Sequence, residues 1–145
     1  MENNPQLSID LVWEDVDLEE LRISAHNGCY CGTAKAYFAQ GDVGILADSI
    51  RGFPKIVSQQ EVFQGGSEEL GSSAQLVFRC IDGSGHPAVI VSLVEAVDVN
   101  DRPPRLNRVE LELRFEAYAL DEFCRELDSI ARRESNRAVL RGIVA

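Results

Sequence analysis

Alternation of hydrophobic and charged residues is the strongest pattern in the chain, and it predicts β-strands. The clearest case is 106–118, where Leu111 and Leu113 alternate with Glu110 and Glu112. Because successive side chains of a strand point to opposite faces, one face of this strand belongs to the core and the other to water. The charged side chains then form a solvated face.

The first strand pattern places Leu7, Ile9, Leu11 and Trp13 on one side. We therefore interpret Trp13, like the tyrosines, as a core or edge aromatic. Two further patterns, 20–26 and 30–38, flank Asn27-Gly28. That dipeptide is typical of a type I′ turn and predicts a β-hairpin.

Helical spacing appears twice. Over 42–52, Val43, Leu46, Ala47 and Ile50 share one face, with Asp42 as the predicted N-cap. A second helix is predicted to begin near Ala119 with a stripe of apolar residues, which are Leu120, Phe123, Leu127 and Ile130.

The middle of the chain predicts strands near 56–63, 74–82 and 87–97, with a flexible Gly/Ser stretch over 65–73. The order βββαββββα predicts an α+β fold. We expect one mostly antiparallel sheet of about six to seven strands, packed with two amphipathic helices in a single globular domain, 1–145. The final apolar segment, 138–144, is too short to classify, so the structure of 134–145 stays open.

Acidic residues outnumber basic ones by 24 to 14, which gives a net charge of −10. This charge disfavours nucleic acids and anionic membranes as partners, because both are polyanions. With no signal-like segment and four unpaired-looking cysteines, we expect a cytoplasmic protein with reduced thiols, which we interpret as small buried hydrophobes.

The densest acidic run holds five carboxylates within seven residues. It consists of Glu14, Asp15, Asp17, Glu19 and Glu20. Its simpler interpretation is a solvated loop that maintains solubility. The functional interpretation is a docking patch for a basic protein, since long-range attraction speeds association.

Ligating residues are sparse, and we expect no cofactor and no metal. His26, Cys29 and Cys31 cluster, but a fourth ligand for zinc would have to come from a distant segment. Asp82 and His86 crowd into one turn, which favours turn chemistry over catalysis. We therefore expect no enzymatic activity.

A weaker alternative is calcium binding at 98–101. The run Asp98-Val99-Asn100-Asp101 precedes Arg102 and two prolines, and it resembles the calcium-binding linker that closes a cadherin repeat. Oxygen ligands at alternating positions suit calcium. Arg102 places a cation among them, so a polar loop before a Pro-Pro break is the preferred interpretation.

Over 20–131 the chain is similar to small bacterial proteins grouped with WapI-type immunity proteins. The resemblance is carried by the strand order and by Val43, Leu46 and Ile50, the turn Gly85-His86 before Val89-Ile90-Val91, and the ending 109–117 followed by Leu120-Asp121-Glu122-Phe123. It implies a protein that binds and neutralises a toxin domain, and it brings no catalytic residues.

Three hypotheses therefore remain. The first is a non-enzymatic protein-binding module, with an immunity-type role, for a basic partner. The second is a small-ligand-binding or enzymatic domain with a pocket between sheet and helices, lined by Tyr30, Tyr37, His26 or His86. The third is a homodimer formed through an exposed strand edge.

Overall fold

Eight strands and two α-helices make up the described part of the chain. The computed structural model describes residues 4–98, 100 and 105–144. The elements are β1 (Gln6–Glu14), β2 (Leu18–His26), β3 (Cys31–Ala39), α1 (Asp42–Ile50), β4 (Gln60–Ser67), β5 (Ser72–Cys80), β6 (Pro87–Asp98), β7 (Arg105–Arg114), α2 (Ala117–Ala131) and β8 (Arg137–Arg141). In these ranges, neither helix is long and apolar enough to cross a bilayer.

The strands form two antiparallel sheets of four, in the orders β3-β2-β1-β8 and β4-β5-β6-β7. We call them sheet A and sheet B. The predicted α+β class, the antiparallel pairing and the two helices are confirmed. The sequence predicted one sheet, whereas α1 carries the chain from sheet A to sheet B. The terminal segment adds the eighth strand, which pairs with β1.

The core lies between the inner faces of the two sheets and the apolar stripes of the two helices. Sheet A meets sheet B along β3, α1 packs on α2, and α2 lies along β8. The predicted helix stripes are confirmed, and Leu120, Phe123, Leu127 and Ile130 are all nearly inaccessible to solvent. Since burying such a side chain stabilises the fold by about 1.5–3 kcal/mol, these stripes fix the position of both helices.

Small residues allow the two sheets to approach each other at β3. The rings of Phe38 on β3 and Phe63 on β4 stack with centroids 4.5 Å apart. A Cβ atom at Gly65 would lie 2.5–2.6 Å from atoms of the Phe38 ring. Gly65 therefore belongs to a strand that lies against an aromatic ring, and the prediction of a flexible Gly/Ser stretch over 65–73 is wrong.

Two local predictions need correction. The hairpin between β2 and β3 forms as expected, but of the Asn27-Gly28 pair only Gly28 has a positive φ (96°), so the turn is not type I′. Instead the Asn27 side chain accepts hydrogen bonds from the backbone of Cys29 and Tyr30. At α1 the N-cap is Gly41, and the Asp42 carboxylate accepts from the Ala39 N–H.

Candidate binding surface

The acidic run forms the turn between β1 and β2 and the ends of both strands. Asp15 Oδ1 accepts hydrogen bonds from the N–H groups of Asp17 (2.9 Å) and Leu18 (2.8 Å). This arrangement is an Asx-type turn, which a short acidic side chain favours. The run is thus an ordered hairpin turn rather than an irregular loop, and Asp15 has a structural role in it.

Glu14 and Glu19 are bound by one arginine from the other end of the chain. Arg133 Nη2 lies 2.8 Å from Glu14 Oε1 and 2.7 Å from Glu19 Oε2. The hydrogen bond from Arg133 lowers the pKa of Glu14 below its usual value. Glu19 is only 1% exposed, and its Oε1 has no hydrogen-bond partner in the described ranges. Both carboxylates therefore pair with an arginine of the same chain.

Arg133 occupies an unusual backbone position. It follows the C-terminus of α2 with φ 59°, and its N–H donates to the Ile130 carbonyl while the Glu134 N–H donates to the Ser129 carbonyl. These two bonds define a Schellman motif, whose left-handed residue is usually glycine. Arginine there costs about 1 kcal/mol of backbone strain, which indicates that its side-chain contacts are needed.

Gln40 completes this cluster, which we call the Arg133 cluster. Its side-chain oxygen accepts a hydrogen bond from Arg133 Nη2 (2.9 Å), and its side-chain nitrogen donates to Glu14 Oε1 (2.8 Å) and to the Asp15 carbonyl (2.7 Å). The loop after β3, the β1–β2 turn and the end of α2 are thereby joined. The cluster holds the acidic turn in one conformation.

Asp17 and Glu20 remain on the outside. Glu20 lies on the outer face of sheet A, where the pairing registers place Trp13 of β1 and Tyr37 of β3 directly opposite it. We call Trp13, Glu20 and Tyr37 the aromatic row. The two rings meet edge to face, with centroids 6.1 Å apart and an interplanar angle of 88°. This geometry is one that aromatic pairs prefer.

Trp13 lies outside because of an irregularity in β1. The pairing with β2 shifts by one residue between Leu11 and Trp13, as a β-bulge does. The shift moves Trp13 from the side that Leu7, Ile9 and Leu11 face to the opposite one. Trp13 is 47% exposed and Tyr37 49%, so neither ring lies in the core. The predicted alternation, which put Trp13 on the face of Leu7, Ile9 and Leu11, is therefore wrong at this position.

Apolar side chains surround the aromatic row. Val12, Val16 and Leu18 are all exposed, and Val16 at the tip of the turn is 87% accessible. A depression of about 570 Å³ beside Tyr37 is lined by Leu18, Gly66, Ser67 and Ser72 as well. We call the aromatic row, the turn 15–18 and this depression the strand-end surface. Exposed aromatic and aliphatic side chains rimmed by charges are typical of protein-binding sites.

The thiols and histidines lie elsewhere. Cys29 and Cys31 are exposed, so the prediction of buried thiols is wrong for this pair, since the loop and the outer face of an edge strand leave them uncovered. Together with His26 and Tyr30 they line a shallow depression of about 350 Å³. Cys124 is buried, and burial raises the pKa of its thiol to about 11. In the described ranges, no three potential ligands are placed to hold a metal.

Asp82 stabilises the β5–β6 turn. Its carboxylate accepts hydrogen bonds from the backbone N–H groups of Ser84 (2.9 Å) and His86 (3.3 Å), and its Oδ2 lies 2.7 Å from Nδ1 of His86. The contact with His86 lowers the pKa of Asp82. All of these contacts are local to one exposed turn. Of the alternative calcium loop at 98–101, Val99 and Asp101 lie outside the described residues.

The outer face of sheet B carries a third depression, of about 330 Å³. A row of polar side chains crosses it, but they bond to each other: Gln75 donates to Gln64 and Ser92 to Glu110. At its edge, Arg108 pairs with Glu68. Because these groups already have partners, the depression presents few free polar groups to a small ligand.

The pocket expected between sheet and helices is not formed by the side chains that the sequence suggested. Tyr30 is 67% and Tyr37 49% exposed, and both lie on outer surfaces. His86 lies in the exposed β5–β6 turn. His26 lines the shallow depression that also contains Cys29 and Cys31. The space between sheets and helices is filled by buried apolar residues instead.

Comparison of the chain with protein-family models, curated proteins and solved structures gave no match. The relation to WapI-type immunity proteins, the absence of enzymatic activity and the docking role of Glu14, Asp15, Asp17, Glu19 and Glu20 therefore stay predictions. Sequence reasoning missed Arg133 and Gln40. The available signal was charge complementarity, since an arginine-rich end accompanies an acidic start.

Proposed function

We propose that this chain is a non-enzymatic protein-binding module that docks a cationic protein domain on the strand-end surface. The observation that carries the proposal is the exposed edge-to-face pair of Trp13 and Tyr37, with Glu20 on the strand that runs between them. Tryptophan and tyrosine are enriched among the residues that dominate binding energy in interfaces. An aromatic centre with a charged rim suits a protein partner.

The charge of the partner is inferred from this surface and from the whole chain. The net charge is −10, and Asp15, Asp17 and Glu20 lie at or beside the aromatic row. Arg133 offsets the charge of Glu14 and Glu19 only in part, because two carboxylates meet one guanidinium. A cationic domain would therefore be attracted at long range, and apolar contacts with the row would slow its release.

The finer proposal is an immunity-type role, in which the partner is a basic toxin domain. It rests on the resemblance over 20–131 and on the charge argument. An immunity protein has to bind tightly and needs no chemistry of its own, which suits a surface built from aromatic and acidic side chains. A small-ligand or enzymatic role has less support, because the polar row on sheet B is internally bonded.

Affinity capture tests the proposal. The purified chain is immobilised and exposed to a lysate of its source cells at low salt, beside a Trp13→Ala variant and a Glu112→Gln control on the outer face of sheet B. We expect a protein of basic isoelectric point on the wild type and the control, but not on Trp13→Ala. Raising the salt should release it, since exposed charges are screened. Equal retention by Trp13→Ala, or a captured protein that is acidic, would contradict the proposal.

A further inference from the structure

Within residues 4–98, 100 and 105–144, the carboxylate of Glu20 has no partner. Glu20 is half-buried on the strand between Trp13 and Tyr37, and in the described ranges its side chain makes no hydrogen bond or ion pair. A partly desolvated carboxylate without a cation costs free energy, and a nearby positive charge would recover it. The aromatic row is therefore incomplete as it stands.

Two arginines near Glu20 on the same chain bind other carboxylates. Arg22 lies on the same face of β2 but approaches Asp10, with Nη1 3.9 Å from Oδ2. Lys35 on β3 lies directly opposite Arg22, in the row next to the one that holds Glu20 and Tyr37. Arg133 binds Glu14 and Glu19, and Glu19 faces the opposite side of the strand. Neither arginine therefore pairs with Glu20, which leaves its carboxylate for a cation of another molecule.

We propose that the aromatic row is a receptor for one arginine side chain of the cationic partner, a refinement that rests on the function proposed above. Rings at 88° present both a face and an edge, and a planar guanidinium stacks on aromatic faces while its N–H groups pair with a carboxylate. Lysine is less suited, because its ammonium is compact and strongly hydrated. The depression beside Tyr37 leaves room for the chain that bears the arginine.

The chain reports on this site directly, because Trp13 is its single tryptophan. Tetra-arginine amide, tetra-lysine amide and tetra-glutamate are titrated at low salt while the emission of Trp13 is followed. The variants are Glu20→Gln, Tyr37→Ala and the control Glu112→Gln, which removes the same charge from the opposite sheet. Circular dichroism checks that each variant is folded, and all three substitutions lie on outer faces.

We expect saturable binding of tetra-arginine that is stronger than that of tetra-lysine, with no response to tetra-glutamate. Glu20→Gln should weaken the arginine peptide about tenfold and Tyr37→Ala about threefold, whereas Glu112→Gln should leave binding within about twofold. Equal binding of the lysine peptide, an equal loss in Glu112→Gln, or no binding would overturn the arginine receptor. The capture experiment does not depend on this peptide, so the proposed function can survive the failure of the receptor.

Discussion

Replacing Arg133 with alanine should destabilise the fold far more than an ordinary surface substitution. The change leaves Glu19, which is 1% exposed, without the cation that pairs with it, and it removes the hydrogen bonds to Glu14 and Gln40. Breaking a buried ion pair by removing one partner typically costs 3–5 kcal/mol. The Arg133 side chain is itself 34% exposed, so water offsets part of the loss, and we expect about 2–4 kcal/mol.

The neighbouring arginine is a matched control. Arg132 pairs with Glu134, and both side chains are more than half exposed, so Arg132→Ala should destabilise the fold far less than Arg133→Ala. Arg133→Gly should be less damaging than Arg133→Ala by about 1 kcal/mol, because glycine adopts the φ of 59° without strain. The free energy of unfolding is measured with urea and circular dichroism at pH 7.

The difference in the free energy of unfolding between the wild type and Arg133→Ala should become smaller in acid. Arg133 lowers the pKa of Glu14 below the ordinary 4.5, so its stabilisation is present above pH 4.5 and is lost as the pH falls through the lowered folded-state value. Stability is compared at pH 7 and at steps below 4.5. If the free energies of unfolding of Arg133→Ala and Arg132→Ala differ by less than about 0.5 kcal/mol at pH 7, the Arg133 cluster stabilises the fold no more than an exposed surface ion pair does, and the argument is refuted.

Two further outcomes follow from packing and burial. Gly65→Ala should lower the free energy of unfolding in urea by about 1–3 kcal/mol, because the new methyl group overlaps the Phe38 ring. Gly83→Ala, with open space around the new methyl group, should leave stability nearly unchanged. Equal effects of the two substitutions would contradict the close approach of the sheets. A thiol reagent at pH 8 should modify the two exposed thiols of the β2–β3 hairpin quickly. Cys124 should react only after unfolding, because that thiol is buried with a pKa of about 11. Rapid modification of Cys124 in the folded protein would contradict its burial.

Local periodicity was enough to predict most elements. The stripe of α2 and the alternation in β7 depend on residues a few positions apart, which the sequence displays directly. The division into two sheets depends on contacts between β3 and sheet B, and these involve glycines that a sequence reader takes for a loop. Gly65 lies in a strand because of the ring opposite it, and that ring lies 27 positions earlier in the chain.

The candidate surface was hidden from periodicity for a related reason. A strict alternation through β1 assigns Trp13 to the core, and the bulge that reverses its direction leaves no clear mark in the sequence. Tyr37 on β3 alternates regularly and could be assigned to the outer face. Their contact could not be predicted, because it requires both the bulge and the register of β2 between them.

The acidic run shows why a count of charges does not describe a surface. Its five carboxylates are adjacent in sequence, but the alternation of β2 sends Glu19 inward and Glu20 outward, and the distant Arg133 then binds Glu19. Glu19 thus contributes to the stability of the turn, while Glu20 lies on the outer face of sheet A. Neutralising Glu19 and Glu20 one at a time should separate the effect on stability from the effect on binding. Glu19→Gln should change the free energy of unfolding with little effect on peptide binding, and Glu20→Gln should do the reverse. Equal effects on both measurements would show that the run acts as one undivided charge.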